Sequence, residues 1–258
     1  MRKNYFIYSF AVLSVLMTIG AGCKKFLDVN KNVNDPTPSS VSLSYVLSAA
    51  MCNISQNTAL GTGMGNAMSI YTHQMTGRVA SDRYGAGAQG WDGLYNAISN
   101  LNVIIKRGTE EDRLMYVGVA KILKAHAFSV LVDIYGDVPF SEFDKFEEGT
   151  TQPKFDNGED IYPQLFALLD EGIADINNPV VNPSKPGADD LIFKGSAAKW
   201  IKAANTLKLK LYNHVRLVQD VSAQVSALLA SPTTLINSQD DNFILPYGPQ
   251  GTTDDRHP

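Results

Sequence analysis

Residues 114–140 read LMYVGVAKILKAHAFSVLVDIYGDVPF and close on Val132-Asp133-Ile134-Tyr135-Gly136-Asp137-Val138-Pro139-Phe140. Tyr116, Val119, Ala120, Leu123, Ala127, Val130, Leu131 and Ile134 recur at steps of three and four, the period of one helix face. Lys121 and Lys124 fall off that stripe. Thr109 is the expected N-cap, with Glu110, Glu111 and Asp112 in the first turn, where negative charge suits exposed N–H groups. Gly136 can take the left-handed conformation that closes a helix, and Pro139 forbids its return.

Working outward, the pattern is one of helix pairs. Leu43, Val46, Leu47, Ala50 and Ile54 mark a first helix, and a second is expected over 64–74, with Gly61, Gly63 and Gly65 weakening its start. Trp91, Leu94, Ala97, Ile98, Leu101, Ile104 and Ile105 define a third, expected to end at Lys106-Arg107-Gly108. Its cationic last turn and glycine stop suit a C-terminus. The 114–135 helix follows at once, so the two should form an antiparallel hairpin. Residues 141–157 are an acidic excursion without helical period. Ile161, Leu165, Leu168, Leu169, Ile173 and Ile176 predict a helix beginning near Asp160, with Pro163 in its first turn. After a proline-containing loop over 177–190, Trp200, Ile201, Ala204, Leu207, Leu211 and Val215 predict another, with Lys199, Lys202, Lys208 and Lys210 on its outer faces. A short helix over 221–230 stops at Ser231-Pro232. The expected class is all-α, with tetratricopeptide-like helix pairs in a solenoid-like body joined by long loops and no strict 34-residue repeat.

The front end is of another kind. Arg2 and Lys3 lead an uncharged apolar run to Gly22, which reads as a secretory signal peptide over 1–22. Its apolar part is shorter than the ~20 residues a spanning helix needs. Ile19-Gly20-Ala21-Gly22-Cys23 resembles a lipobox, which implies diacylglycerol on Cys23 and a lipidated tether over the Asn-, Asp- and Pro-rich residues 23–40. Cys52 would then stand alone, read as a small apolar side chain; without the lipid, a Cys23–Cys52 bridge is the alternative.

The formal net charge is −4 with no basic cluster, which argues against a nucleic-acid partner. The four histidines, His73, His126, His214 and His257, have no metal-binding spacing. His126, between two alanines on a helix, reads as a packed or hydrogen-bonded side chain. Gly85-x-Gly87-x-x-Gly90 matches a dinucleotide spacing, but no buried strand precedes it. No nucleophile elbow or phosphate loop is present. Asp189-Asp190 and Asp240-Asp241 could bind calcium, but solvated turn carboxylates are the expected reading. No cofactor or resident metal is implied.

The helix that stops at Tyr135-Gly136-Asp137-Val138-Pro139 resembles the hallmark segment of the SusD/RagB family. Four further stretches, in the same order as in the family, are similar: Cys23-Lys24-Lys25-Phe26-Leu27-Asp28, Tyr71-Thr72-His73-Gln74 through Trp91-Asp92-Gly93-Leu94-Tyr95, Asp160-Ile161-Tyr162 to Asp170, and Lys199-Trp200 to Leu211. The resemblance implies a surface-exposed lipoprotein of the outer membrane, not an enzyme, that binds a glycan or peptide as lid partner of a SusC-like TonB-dependent transporter. Family members are longer, so 41–258 is expected to be a SusD-like helical domain incomplete at its C-terminal end. For ligand contact the expected cluster is Arg78, Asp82, Arg83, Tyr84 and Trp91, since aromatic faces stack on sugar rings and Arg and Asp hydrogen-bond hydroxyls. Trp91, which begins a helix in the family pattern, is expected to pack in the core before it serves a ligand. The competing functions are a secreted glycoside hydrolase, which needs only a suitably spaced carboxylate pair, and a helical-repeat scaffold without a small-molecule ligand.

Overall fold

The computed structural model describes residues 41–59, 64–75, 90–178 and 185–247. Seven α-helices run through them: α1 (Leu43–Thr58), α2 (Met64–Tyr71), α3 (Trp91–Glu110), α4 (Leu114–Tyr135), α5 (Gly158–Ile176), α6 (Ala197–Val215) and α7 (Ser222–Leu229). The described residues hold no strand beyond one isolated antiparallel bridge, Val138 with Asp156. All belong to one compact unit, Val41–Pro258. The all-α class of paired helices is the one found.

Helix α4 is the centre of that unit. It packs against α3 on one side and α5 on the other, and also touches α1 and α6. The expected single stripe is therefore too narrow: Val117, Gly118, Ile122, Ala125, Phe128, Ser129 and Val132 are buried as well. A helix walled in on several sides loses the amphipathic signature of a surface helix. The contact with α5 is backbone to backbone. A Cβ on Gly118 would stand 2.6 Å from the Gly172 carbonyl oxygen, and one on Gly172 would stand 2.9 Å from that of Gly118. One turn on, Lys121 bridges to Glu171 and Asp175 of α5, at 2.9 Å each, and Lys124 donates to Asn102 of α3 at 2.7 Å. The off-stripe lysines thus span helix seams rather than face water.

The α3–α4 hairpin corrects two expectations. Thr109 is not an N-cap; it lies within α3, its hydroxyl donating to the Ile105 carbonyl at 2.7 Å. The N-cap residue of α4 is Arg113, and Glu110 to Asp112 end α3 and make the turn, with Asp112 at φ 54°. Gly108 is not a stop. It sits inside α3, and a Cβ there would be 2.8 Å from the Val117 side chain, so its smallness lets the two helices approach. Helix α5 starts at Gly158, capped by the Asn157 side chain, which leaves Pro163 two residues further in than expected. Helix α2 ends at Tyr71, short of the expected Gln74.

The expectation of solvated aspartate pairs fails most clearly. Asp190 is fully buried, and its carboxylate accepts from Ile192 N–H (3.0 Å), Phe193 N–H (3.0 Å), Gly195 N–H (2.7 Å) and the Trp200 indole N–H (2.7 Å). Its neighbour Asp189 accepts from the Tyr116 hydroxyl of α4 at 2.7 Å, and the Asp189 carbonyl accepts from Ser48 of α1 at 2.8 Å. Asp241 is buried too, 2.7 Å from Lys202. Lys199 and Lys208 likewise hold partners, the Asp240 carbonyl and Asp170 at 2.5 Å each. Three of the four lysines expected to decorate α6, Lys199, Lys202 and Lys208, latch it to its neighbours, while Lys210 is exposed as expected.

A carboxylate only accepts, whereas an amide presents N–H groups. Asp190→Asn turns a donor toward the Gly195 or Trp200 donors and should cost about 3 kcal/mol of stability, the scale of lost bonds to a buried charged group. Trp200→Phe, which removes the Trp200 bond, should cost less. Urea unfolding checks both.

Candidate functional site

The aromatic side chains concentrate where α3 begins and α4 ends. Gly90, at φ 113°, turns the chain into α3, and Trp91 is the first helical residue. The Trp91 ring lies 4.9 Å from Tyr95 one turn on, 4.8 Å edge-on from Tyr135, and 6.2 Å from Phe155, stacked at 23°. Trp91 and Tyr135 are half-buried, while Phe155 is 63% exposed. Inward, Tyr95 meets Phe128 and Phe143, so the surface rings rest on a packed aromatic floor.

Each residue of the 135–139 segment has a part in holding this corner. Gly136 takes φ 76°, ψ −108°, a positive φ as expected though outside the left-handed helical basin. Asp137 accepts from the Gly158 N–H at 2.9 Å at the start of α5. Val138 pairs through its backbone with Asp156, at 3.2 and 3.0 Å. The Pro139 carbonyl accepts from the Tyr95 hydroxyl at 2.7 Å.

Asp156 is the clamp. Its carboxylate accepts from the N–H of Phe140 (3.0 Å) and Ser141 (2.6 Å) and from the Ser141 hydroxyl (2.9 Å), with Lys154 at 3.3 Å. Burial would raise its pKa, but these donors together outweigh that and hold it below the usual carboxylate range. The 141–157 excursion is thereby folded back so that Phe155, next to the clamp, lies on Trp91. On Tyr135, burial and then the nearby Asp92 push the phenol pKa up, keeping it a neutral donor.

Of the residues expected to contact ligand, Trp91 is in this corner. Arg78, Asp82, Arg83 and Tyr84 lie outside the described residues, as does Cys23. Tyr135 and Phe155 were missed. The available signal was the three aromatics Phe143, Phe146 and Phe155 in an otherwise polar excursion. Flat apolar ring faces bordered by hydroxyl and carboxylate groups suit a ligand that is itself flat and apolar on its faces and polar at its edges.

A second titratable cluster joins three helices. Asp133 of α4 accepts from the Tyr162 hydroxyl of α5 at 2.5 Å and faces His214 of α6 at 3.1 Å. It is a tie between helix ends. Among the described residues no group of three or more His, Cys, Asp or Glu side chains converges as a metal site.

A family model described as SusD-like_2, "Starch-binding associating with outer membrane", matches residues 33–255, and the chain belongs to this family. No curated protein matches. Among solved structures, a SusD/RagB family protein from Bacteroides thetaiotaomicron is 21% identical, with a TM-score of 0.70 over 82% of this chain and 46% of that one. A SusD homolog from Bacteroides fragilis is 21% identical, with a TM-score of 0.65 over 84% of this chain and 46% of that one. A chitin-binding protein is 27% identical, with a TM-score of 0.63 over 78% of this chain and 45% of that one. The chain thus spans less than half the length of these relatives.

The clamp carries a pH dependence of definite sign. A carboxylate whose folded pKa is depressed contributes fully above its unfolded value, about 3.9, and loses that contribution as pH falls through the folded value. Protection factors in 141–157, the exchange rates referred to the intrinsic amide rate at each pH, should therefore be high near neutrality and fall in acid below the ordinary carboxylate range. Asp156→Ala should show low protection at every pH while α4 stays protected.

Proposed function

We propose that this chain is a non-enzymatic glycan-binding component of outer-membrane nutrient uptake, and that the Trp91–Tyr135–Phe155 corner is its sugar platform. The observation that carries the reading is the clamped aromatic stack in which exposed Phe155 lies on half-buried Trp91 beside Tyr135. An aromatic surface resting on buried rings and fixed by hydrogen bonds presents apolar area at little ordering cost. Arg78, Asp82, Arg83 and Tyr84 would supply the polar contacts to sugar hydroxyls from the adjoining loop. The family description names starch, and solved relatives are described as chitin-binding; α-1,4-glucose and β-1,4-N-acetylglucosamine oligomers are therefore the ligands to try first.

In the same reading, residues 1–22 direct export and Cys23 carries lipid. One acyl chain anchors marginally and two hold, so a lipoprotein's chains would keep the protein on the outer membrane. The partner would be a SusC-like TonB-dependent transporter over which this protein closes. Ligand drives closure only by binding the closed state better than the open one.

Isothermal titration of the full chain with the two oligosaccharide series should give saturable binding to one of them. Trp91→Ala should weaken it about tenfold, roughly the ~1.4 kcal/mol of one well-placed aromatic contact, with helicity by circular dichroism unchanged. Binding indifferent to both Trp91→Ala and Phe155→Ala would move the site off this corner. Separately, tagged protein drawn from detergent-solubilised outer membranes should bring down a large TonB-dependent barrel; a lipidated protein that brings down none would end the lid model.

A further inference from the structure

Helices α1, α4 and α6 line two open-mouthed cavities that share His126 and Phe243. One, of about 170 Å³, lies between α4 and α6. Ala203, Leu207 and Lys210 line it from one face of α6, Ile122 from α4, and Ile236 from the C-terminal segment. The other, of about 240 Å³, lies between α1 and α4, against Met51, Ile54, Leu123 and Leu245. Phe243 stands at the junction, its ring 5.7 Å from His126 at 76° and 5.8 Å from Trp200 at 78°. A volume of about 150 Å³ is enough to hold benzene, so each chamber has room for the body of a small apolar molecule.

The walls are carbon except for a few groups, and most of those are already used. Thr206 accepts from the Ile236 N–H at 2.9 Å, Ser55 shares a 2.7 Å hydrogen bond with Tyr247, and Thr58 donates to the Ile54 carbonyl at 2.8 Å. His126 is different. Its half-buried imidazole faces both chambers and has no hydrogen-bond partner among the described residues. Burial, and then the charge of Lys210, hold its pKa down at about 4, so near neutrality the ring offers one donor and one acceptor. Lys210 itself is exposed at the rim, with no ion-pair partner among the described residues.

We propose that this paired cavity is a small-molecule site, separate from the aromatic corner, for a monocarboxylic acid with a short apolar body. The body would lie against Leu207, Ile236 and Phe243, and the carboxylate would meet the Lys210 ammonium at the rim, within reach of the His126 donor. A cation would be repelled by Lys210. A neutral alcohol would fill the same space without the charge pairing. The inference stands on this cavity alone and does not depend on the glycan reading.

Hexanoate, 1-hexanol and hexylamine are the probes, read on the imidazole ¹H–¹³C signals of the full chain, with His126→Asn giving the assignment. Hexanoate should shift the His126 signal saturably, with a Kd of about millimolar, as expected for a ligand of so few atoms. Hexanol should bind about fivefold more weakly, hexylamine should not bind, and Lys210→Met should cost hexanoate about the same factor, the scale of one exposed ion pair. Ala203→Leu, which fills the α4–α6 chamber, should abolish the shift. Hexanol or hexylamine binding as tightly as hexanoate would make the cavity an indiscriminate void and overturn the proposal, as would a hexanoate shift that never saturates. Should Ala203→Leu fail to fold by circular dichroism, the ranking of the three probes on the wild-type chain decides alone.

Discussion

A carboxylate fully removed from water must be surrounded by donors, and Asp190 collects four of them from its own loop and from Trp200. That demand organises the second half of the structure. It curls residues 187–195 into a compact turn, with Lys194 and Gly195 both at positive φ, and it pins the largest buried side chain of α6 to that turn. Through Asp189 the same turn is held to Tyr116 of α4 and Ser48 of α1. Trp200 and Phe193, fixed by this knot, in turn pack Phe243 of the C-terminal segment. The walls of the cavity about His126 are therefore set by a polar interaction some turns away from it.

The helices were legible in the sequence because apolar spacing is a local signal. Every predicted helix is found, and α3 and α4 are packed neighbours, as the short turn between them requires. What periodicity cannot see is a second partner. The stripe on α4 identified one packing face, but Val117, Ile122, Ala125 and Phe128 are buried by elements distant in sequence. Glycines were misjudged for the same reason. Gly108 reads as a stop by local rules, and only the approach of Val117 shows that it is a contact residue inside α3. The aspartate pairs were read as solvated because surface is the common place for carboxylates; no spacing in the sequence reveals that the indole of Trp200 will come to Asp190. Thr109 was a good cap in principle, one that α3 absorbed by running two residues past Gly108.

The candidate site shows the same division. Trp91 could be singled out from the sequence, and so could the Tyr135 to Pro139 segment as a helix stop. Its further use could not. A helix end becomes one wall of a site because Asp156, some twenty residues later, folds Phe155 back onto Trp91 through four polar contacts. A single substitution at Asp156 would release Phe155 without altering any ring. That separates the platform's chemistry, which lies in Trp91, Tyr135 and Phe155, from its rigidity, which lies in the excursion that carries no aromatic periodicity at all.

Helix α4 carries both features, with Tyr135 at the corner and His126 at the cavity, about 13 Å apart along its axis at 1.5 Å per residue. Coupling between two such places needs an element with two arrangements that both can bias. Helix α4 is a poor candidate for that element. Its backbone abuts that of α5 at Gly118 and Gly172, where even a methyl group has no room, and Lys121 and Lys124 tie it on opposite sides. Sliding or rotation of α4 would break these contacts together. The C-terminal segment is held differently: Phe243 touches its neighbours through ring contacts, and Ile244 beside it is 56% exposed. A molecule entering the cavity therefore displaces Phe243 more readily than α4, and its effect runs toward Trp200 and α6, leaving the aromatic corner as it was. Two candidate sites on one rigid helix remain independent for as long as the helix itself has a single position.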